Sequence, residues 1–267
     1  MGGGSDSVEV DGHTIAFERR GDGPPLVLVH GACSDSRDWR RQLEDLSDEF
    51  MVIAWDAPGC GRSWDPPEDY GLAGYADCLA GFIDALGLER PHVLGLSFGS
   101  GLALELFRRH RDVPRSLVLA SAYAGWAGSL GRKEAEARRQ WGLHAAERPL
   151  DEFVDEFCDT LFTGSVPAAV VDETAAMIRE FHPAGLRAMA DAFADADLRD
   201  VLPEIDVPTL LLYGNADVRS PVSVGEDLHA RIPGSKFVVI AGPGHVLNVE
   251  APERFNEEVR SFLRYAG

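Results

Sequence analysis

The sequence predicts an α/β domain: a doubly wound, mostly parallel eight-stranded sheet with a block of helices inserted late in the chain. Three observations carry the prediction. Short apolar runs of four to six residues recur along the chain, each closed by Gly, Ser, Asp or another small residue. Continuous apolar strands of this kind suit a sheet covered on both faces. Stretches of helical periodicity separate them, so strand and helix alternate. The alternation then stops between residues 122 and 202, where no strand-like run occurs and amphipathic segments follow one another. The expected organisation is therefore a core domain of residues 1–121 and 203–267, with residues 122–202 as a helical cap inserted in it.

The elements follow in order. "VEVDGHTIAFERRGDG" alternates about Asp11-Gly12 and reads as a hairpin. The strands "PLVLVHG", "FMVIAWD", "PHVLGLS", "RSLVLAS", "PTLLLYG" and "KFVVIAG" come next. Helices are expected over Leu72–Leu86, Phe98–Arg109, Val222–Arg231 and Pro252–Tyr265. The insert reads "KEAEARRQWGLHAA", "LDEFVDEFCDTLF", "AAVVDETAAMIREF" and "AGLRAMADAF". Its large apolar residues (Trp126, Trp141, Phe157, Phe162, Met177, Phe181, Met189, Phe193) sit at helical spacing. Most should pack within the insert, and some should face the sheet, because an amphipathic layer needs a surface to cover.

Charge and cysteine content narrow the partners. Lys+Arg number 25 against Asp+Glu 44, a net charge of −19. So acidic a chain is repelled by phosphate backbones and anionic membranes, so neither nucleic acid nor a membrane is expected as a partner. Cys33, Cys60, Cys78 and Cys158 form no C-x-x-C pair, which argues against structural zinc and a disulfide framework. No signal-peptide pattern and no apolar run near the ~20 residues of a membrane span is present, so a cytoplasmic protein is expected. The opening Met-Gly-Gly-Gly-Ser-Asp puts Asp6 where a myristoylation signal wants Ser or Thr, and reads as a flexible leader or cloning remnant.

Ligands of an open α/β sheet bind beyond the carboxyl ends of its strands. That position filters the catalytic candidates. Among eight histidines only His30, after "LVLV", and His245, after "FVVIAGPG", pass. His92 is read as preceding its strand, at the opposite edge. Ser97, in "HVLGLSFGSG", lies between a strand and an immediate helix. A lone G-x-S-x-G is a weak signal, but a turn this abrupt forces strain on Ser97 and demands small neighbours, here Gly95 and Gly99. The hydroxyl would then sit at a helix N-terminus, where developing negative charge is favoured. Ser97 needs a base, because a free hydroxyl is a weak nucleophile. His245 is the expected base, and His30 the rival, more suited to bonding backbone in its tight turn. Asp217, in "LLLYGNADVRSP", is the expected orienting acid. Asp56 follows another strand but lies in dense turn chemistry, and Asp206 lies at the wrong end of its strand.

The order Ser97, Asp217, His245 and the blocks "VHGACSDSRDW", "WDAPGCGRS", "GLSFGSG", "YGNADVRSP" and "GPGHVLNVEAP" resemble the α/β-hydrolase superfamily over nearly the whole chain. Within it the chain looks most like the capped serine esterases and lactonases, including enol-lactone hydrolases. The resemblance implies an oxyanion hole formed by the backbone N–H groups of Ala32 and Phe98. Cys33 is adjacent but no sharp turn presents it as a nucleophile. Cys33, Trp126, Trp141, Phe162, Phe181 and Val246 are the expected pocket residues. Haloalkane dehalogenases and epoxide hydrolases of this fold use an aspartate where Ser97 stands, and proline iminopeptidases show a longer glycine-proline run after His-Gly.

The expected activity is hydrolysis of a carboxylic ester or lactone of a hydrophobic small molecule, through an acyl-enzyme on Ser97 and without metal or organic cofactor. The alternatives are a C–C bond hydrolase using the same triad, and a non-catalytic small-molecule receptor on a hydrolase scaffold. A receptor needs no nucleophile, base and acid together.

Overall fold

The computed structural model describes residues 5–145, 147–164 and 166–266; the glycine leader lies outside them. Eight strands form one sheet: β1 (Ser5–Val10), β2 (His13–Arg20), β3 (Pro25–Val29), β4 (Met51–Trp55), β5 (His92–Leu96), β6 (Ser116–Ala120), β7 (Thr209–Gly214) and β8 (Lys236–Ile240). Their spatial order is β1-β2-β4-β3-β5-β6-β7-β8. β1 pairs antiparallel with β2 about the Asp11-Gly12 turn, and β2 pairs antiparallel with β4. The remaining pairs are parallel.

Side chains alternate across each strand, and the two faces feed two separate cores. Val27, Val29, Ile53, Trp55, Leu117 and Leu119 point to one, with α2 (Gly71–Ala85), α3 (Phe98–Arg109) and α9 (Val222–Arg231) over them. Leu26, Leu28, Val52, Ala54, Val118 and Ala120 point to the other, covered by α1 (Arg40–Asp45) and α11 (Pro252–Ala266), with the short α10 (Leu247–Glu250) leading into α11. Burial on both faces is why the central strands β3 to β7 carry no polar alternation, while the edge strand β8 is largely half-buried or exposed.

Between β6 and β7 come α4 (Trp126–Leu130), α5 (Arg132–Ala145), α6 (Leu150–Leu161), α7 (Ala168–Ile178) and α8 (Pro183–Ala194), with no strand among the described residues. α8 packs on α2, α3 and α5. It reaches the core backbone to backbone: a Cβ on Gly59 would lie 2.4 Å from the Gly185 Cα, so neither position has room for a side chain. Phe193 and Met189 of α8 join the first core, while Phe153, Phe157 and Leu161 of α6 join the second. The insert thus straddles the end of the sheet. No helix is long and apolar enough to cross a membrane among the described residues. One boundary differs from expectation. β5 begins on His92 rather than after it, because its backbone already pairs with Leu26 of β3 and Ser116 of β6; the imidazole also bonds Ser116 Oγ at 2.7 Å, at the edge remote from Ser97.

Candidate active site

Ser97 joins β5 directly to α3 at φ 54°, ψ −114°. A non-glycine residue holds this conformation only when its surroundings impose it. They do so by close packing: a Cβ on Gly95 would meet Gly99 O at 2.2 Å, and one on Gly99 would meet Val29 O at 2.1 Å. Ser97 N donates to Ala120 O at 2.9 Å, which ties the turn sideways to β6.

The three residues selected at the strand ends meet. Ser97 Oγ lies 2.9 Å from His245 Nε2. His245 Nδ1–H donates to Asp217, 2.9 Å from Oδ2 and 3.1 Å from Oδ1. A carboxylate only accepts, so this bond leaves Nε2 free to accept the Ser97 proton. All of the Asp217 side chain is enclosed, and its Oδ1 also accepts the backbone N–H groups of Arg219 and Ser220, each at 2.8 Å. Burial alone would raise the Asp217 carboxyl; the facing His245 and these donors outweigh it and hold the group below its usual range. Burial pushes the His245 imidazole down, and Asp217 opposes that in part, so the ring is a neutral base near pH 7.

The His245 loop is braced from several sides. His245 N donates to Leu161 O at 2.9 Å, and Ser121 Oγ donates to His245 O at 2.8 Å. Glu250 Oε1 accepts from Gly244 N at 2.8 Å while its Oε2 accepts from Thr163 Oγ1 at 2.7 Å. The loop carrying His245 is therefore fastened to the end of α6.

The rejected candidates are occupied elsewhere. His30 Nδ1–H donates to Gly31 O at 2.7 Å, and its Nε2 accepts from Ala57 N at 3.0 Å. Asp56 takes backbone donors from Ser36 and Arg62 at 2.8 and 3.1 Å, so it organises two turns. Asp206 lies on the surface beside Arg111. The Cys33 thiol is pushed up to about 12 by burial, which leaves it a protonated wall residue.

A cavity opens over Ser97. Gly31, Ala32, Ser97, Phe98 and His245 form its floor, and residues of α4 to α8 form its roof. Ala32 and Phe98 flank Ser97, and neither N–H has an acceptor in the turns and loops among the described residues. Cys33, Trp126, Trp141 and Val246 line the cavity as expected. Phe162 and Phe181 do not. Phe162 follows the last residue of α6 and packs against the second core instead. Phe181 packs tilted against Phe153, ring centres 5.4 Å apart, and faces an adjoining crevice beside Cys60. The helical period places a residue on a face, but both lie just past a helix end, where that period no longer holds. Arg219, Asp38, Met177, Met189 and Phe193 also line the cavity and were not selected from the sequence. Arg219 had a readable signal, since it sits in the same strand-end loop as Asp217.

A strained serine between strand and helix, served by a buried imidazole and carboxylate at the carboxyl edge of a mostly parallel sheet, defines a hydrolase of the α/β fold. The chain belongs to that family: residues 24–252 match the profile described as alpha/beta hydrolase fold. It is 30% identical to the pimeloyl acyl-carrier-protein methyl ester esterase of Neisseria meningitidis serogroup B, over 89% of this chain and 92% of that protein. It is 26% identical to 3-oxoadipate enol-lactonase 1 of Acinetobacter baylyi, over 95% and 94%. Among solved structures it is similar to a thermophilic esterase from Thermogutta terrifontis, with a TM-score of 0.91, 32% identity, and coverage of 98% and 99% of the two chains.

Proposed function

We propose that the protein is a serine hydrolase of carboxylic esters or lactones of small hydrophobic molecules, with Ser97, His245 and Asp217 as its catalytic residues. The observation that carries the reading is the continuous Ser97–His245–Asp217 hydrogen-bond chain at 2.9 Å per link beneath a mainly apolar cavity. His245 Nε2 takes the Ser97 proton as Oγ attacks the ester carbonyl. Asp217 holds the tautomer and stabilises the imidazolium. The N–H groups of Ala32 and Phe98 receive the oxyanion, assisted by the N-terminus of α3. His245 returns the proton to the leaving alcohol, and water, activated by the same imidazole, releases the acid. Residues 122–202 serve as a cap over the core of residues 1–121 and 203–267, and select the substrate. The four cysteines, all free and buried, suit a reducing compartment, and we assign the protein to the cytoplasm.

The test is hydrolysis of short p-nitrophenyl esters. Wild type is expected to turn over and to form an acyl adduct on Ser97 detectable by mass spectrometry. Ser97→Ala should lose on the order of 10⁴-fold or more in kcat. Unchanged turnover in Ser97→Ala would overturn the mechanism. Turnover by neither, with tight ligand binding, would support the receptor alternative.

A further inference from the structure

The cavity wall holds one cationic side chain that ester hydrolysis itself does not use. Arg219 is the only lysine or arginine lining the cavity among the described residues. Its Nη1 donates to Thr160 Oγ1 at 2.9 Å, and its guanidinium lies over the rings of Phe157, at 4.9 Å, and Trp141, at 5.9 Å. A guanidinium has five N–H donors in a planar fork. One is engaged, and no carboxylate forms an ion pair with the group among the described residues. The nearest acid by sequence, Asp217, spends its oxygens on His245 and on backbone N–H groups.

The surroundings sharpen the imbalance. A second guanidinium, Arg138, donates to Arg219 O at 3.0 Å and to Tyr123 Oη at 2.9 Å, and is itself balanced by Glu134. Burial, reinforced by Arg138 and opposed in part by the nearby Asp217 charge, pushes the Arg219 guanidinium down from its ordinary value. Among the other ionisable lining groups, His245 is a neutral base, the Cys33 thiol stays protonated, and burial pushes the Asp38 carboxyl up to about 7. A chain with 19 net negative charges thus keeps a permanent cation inside an apolar cavity. Burying an unpaired charge is costly, and a planar fork flanked by aromatic faces matches a carboxylate in two parallel bonds.

We propose that Arg219 receives a free carboxylate of the substrate, so that the ester or lactone cleaved at Ser97 comes from an acid that bears a second, uncleaved carboxylate. This rests on the serine-hydrolase reading above and adds the substrate class to it. Arg219 is half-buried, and the aromatic pair lies against its guanidinium, which favours a charge-assisted bond there over one in open water.

Two esters with acyl chains of equal length test this: p-nitrophenyl butyrate, ending in a methyl group, and mono-p-nitrophenyl succinate, ending in a carboxylate. The readout is the ratio of their kcat/KM values, which cancels any general damage to the site. Wild type should favour the succinate ester. The ratio should fall about 30-fold in Arg219→Met and recover in part in Arg219→Lys, which keeps the charge but not the fork. A ratio unmoved by Arg219→Met overturns the proposal, because a residue that only pins α6 to the strand-end loop would slow both esters alike. If wild type hydrolyses neither ester, the serine-hydrolase reading fails, and calorimetric titration with monomethyl succinate decides the carboxylate site separately. Binding by wild type that weakens tenfold or more in Arg219→Met supports the site, and no binding by wild type overturns it.

Discussion

In the proposed mechanism the reaction depends on one lone pair of His245. The imidazole must be neutral on Nε2 to accept the Ser97 proton, and burial keeps it so by lowering its affinity for a second proton below the ordinary 6.5. Protonation on the acid side therefore removes the base. For the neutral ester p-nitrophenyl butyrate, kcat/KM should be level around pH 7 and fall about tenfold per unit below a midpoint under 6.5. A pH–rate profile measures this, and a midpoint above 6.5 contradicts the assignment of His245 as the buried base. A neutral ester is the right probe because Asp38, in the same cavity wall, changes charge at about 7 and would alter the binding of a charged one. The residue scale is also where sequence and structure agree most closely. Ser97, Asp217 and His245, the proposed catalytic residues, were each legible because they fall within five residues after the end of a strand. His30 and Asp56 pass the same positional test, and only their bonds to backbone groups decide against them.

Between β5 and α3 the element-level constraint is space. The elbow closes only because Gly99 lets the helix approach the end of β3, where an added Cβ would sit 2.1 Å from Val29 O and 2.7 Å from His30 O. Gly99→Ala should therefore displace the His30–Ala32 turn and with it one proposed oxyanion donor. We expect a stability loss of about 1–3 kcal/mol and a marked drop in kcat with p-nitrophenyl butyrate, read by urea unfolding and initial rates. Unchanged stability would show that β3 and α3 are not in close contact there. The strands were legible as elements because burial on both faces writes itself as uninterrupted apolar runs. The ends of the insert helices were not. Phe162 and Phe181 fall just past α6 and α7, so their neighbours are set by where the following loop goes.

For the whole molecule, the insert and the core are joined through aromatic packing beside Ser97. Phe193 of α8 lies 5.3 Å from Phe98, 5.4 Å from Trp126 and 6.0 Å from Tyr123, ring centre to ring centre. It is 1% exposed, so truncation leaves a cavity at the junction rather than a dent in the surface. Phe193→Ala should cost roughly 3–5 kcal/mol in urea unfolding and also weaken discrimination among esters. A cost below about 1 kcal/mol would mean that the insert does not lean on the elbow through this residue.

The sequence by itself determined the sheet, the place of the insert and the order in which Ser97, Asp217 and His245 come to the strand ends, because each leaves a local mark: an apolar run, a helical period, a residue type at a strand end. The tertiary structure alone decided which insert residues turn toward Ser97, that Glu250 and Ser121 brace the base, and that Arg219 stands in the cavity without a carboxylate partner. Apart from the Gly244–Glu250 bond, these are meetings between segments far apart in the chain. Their geometry depends on how the insert is tilted onto the sheet, and no periodicity within either segment encodes that tilt.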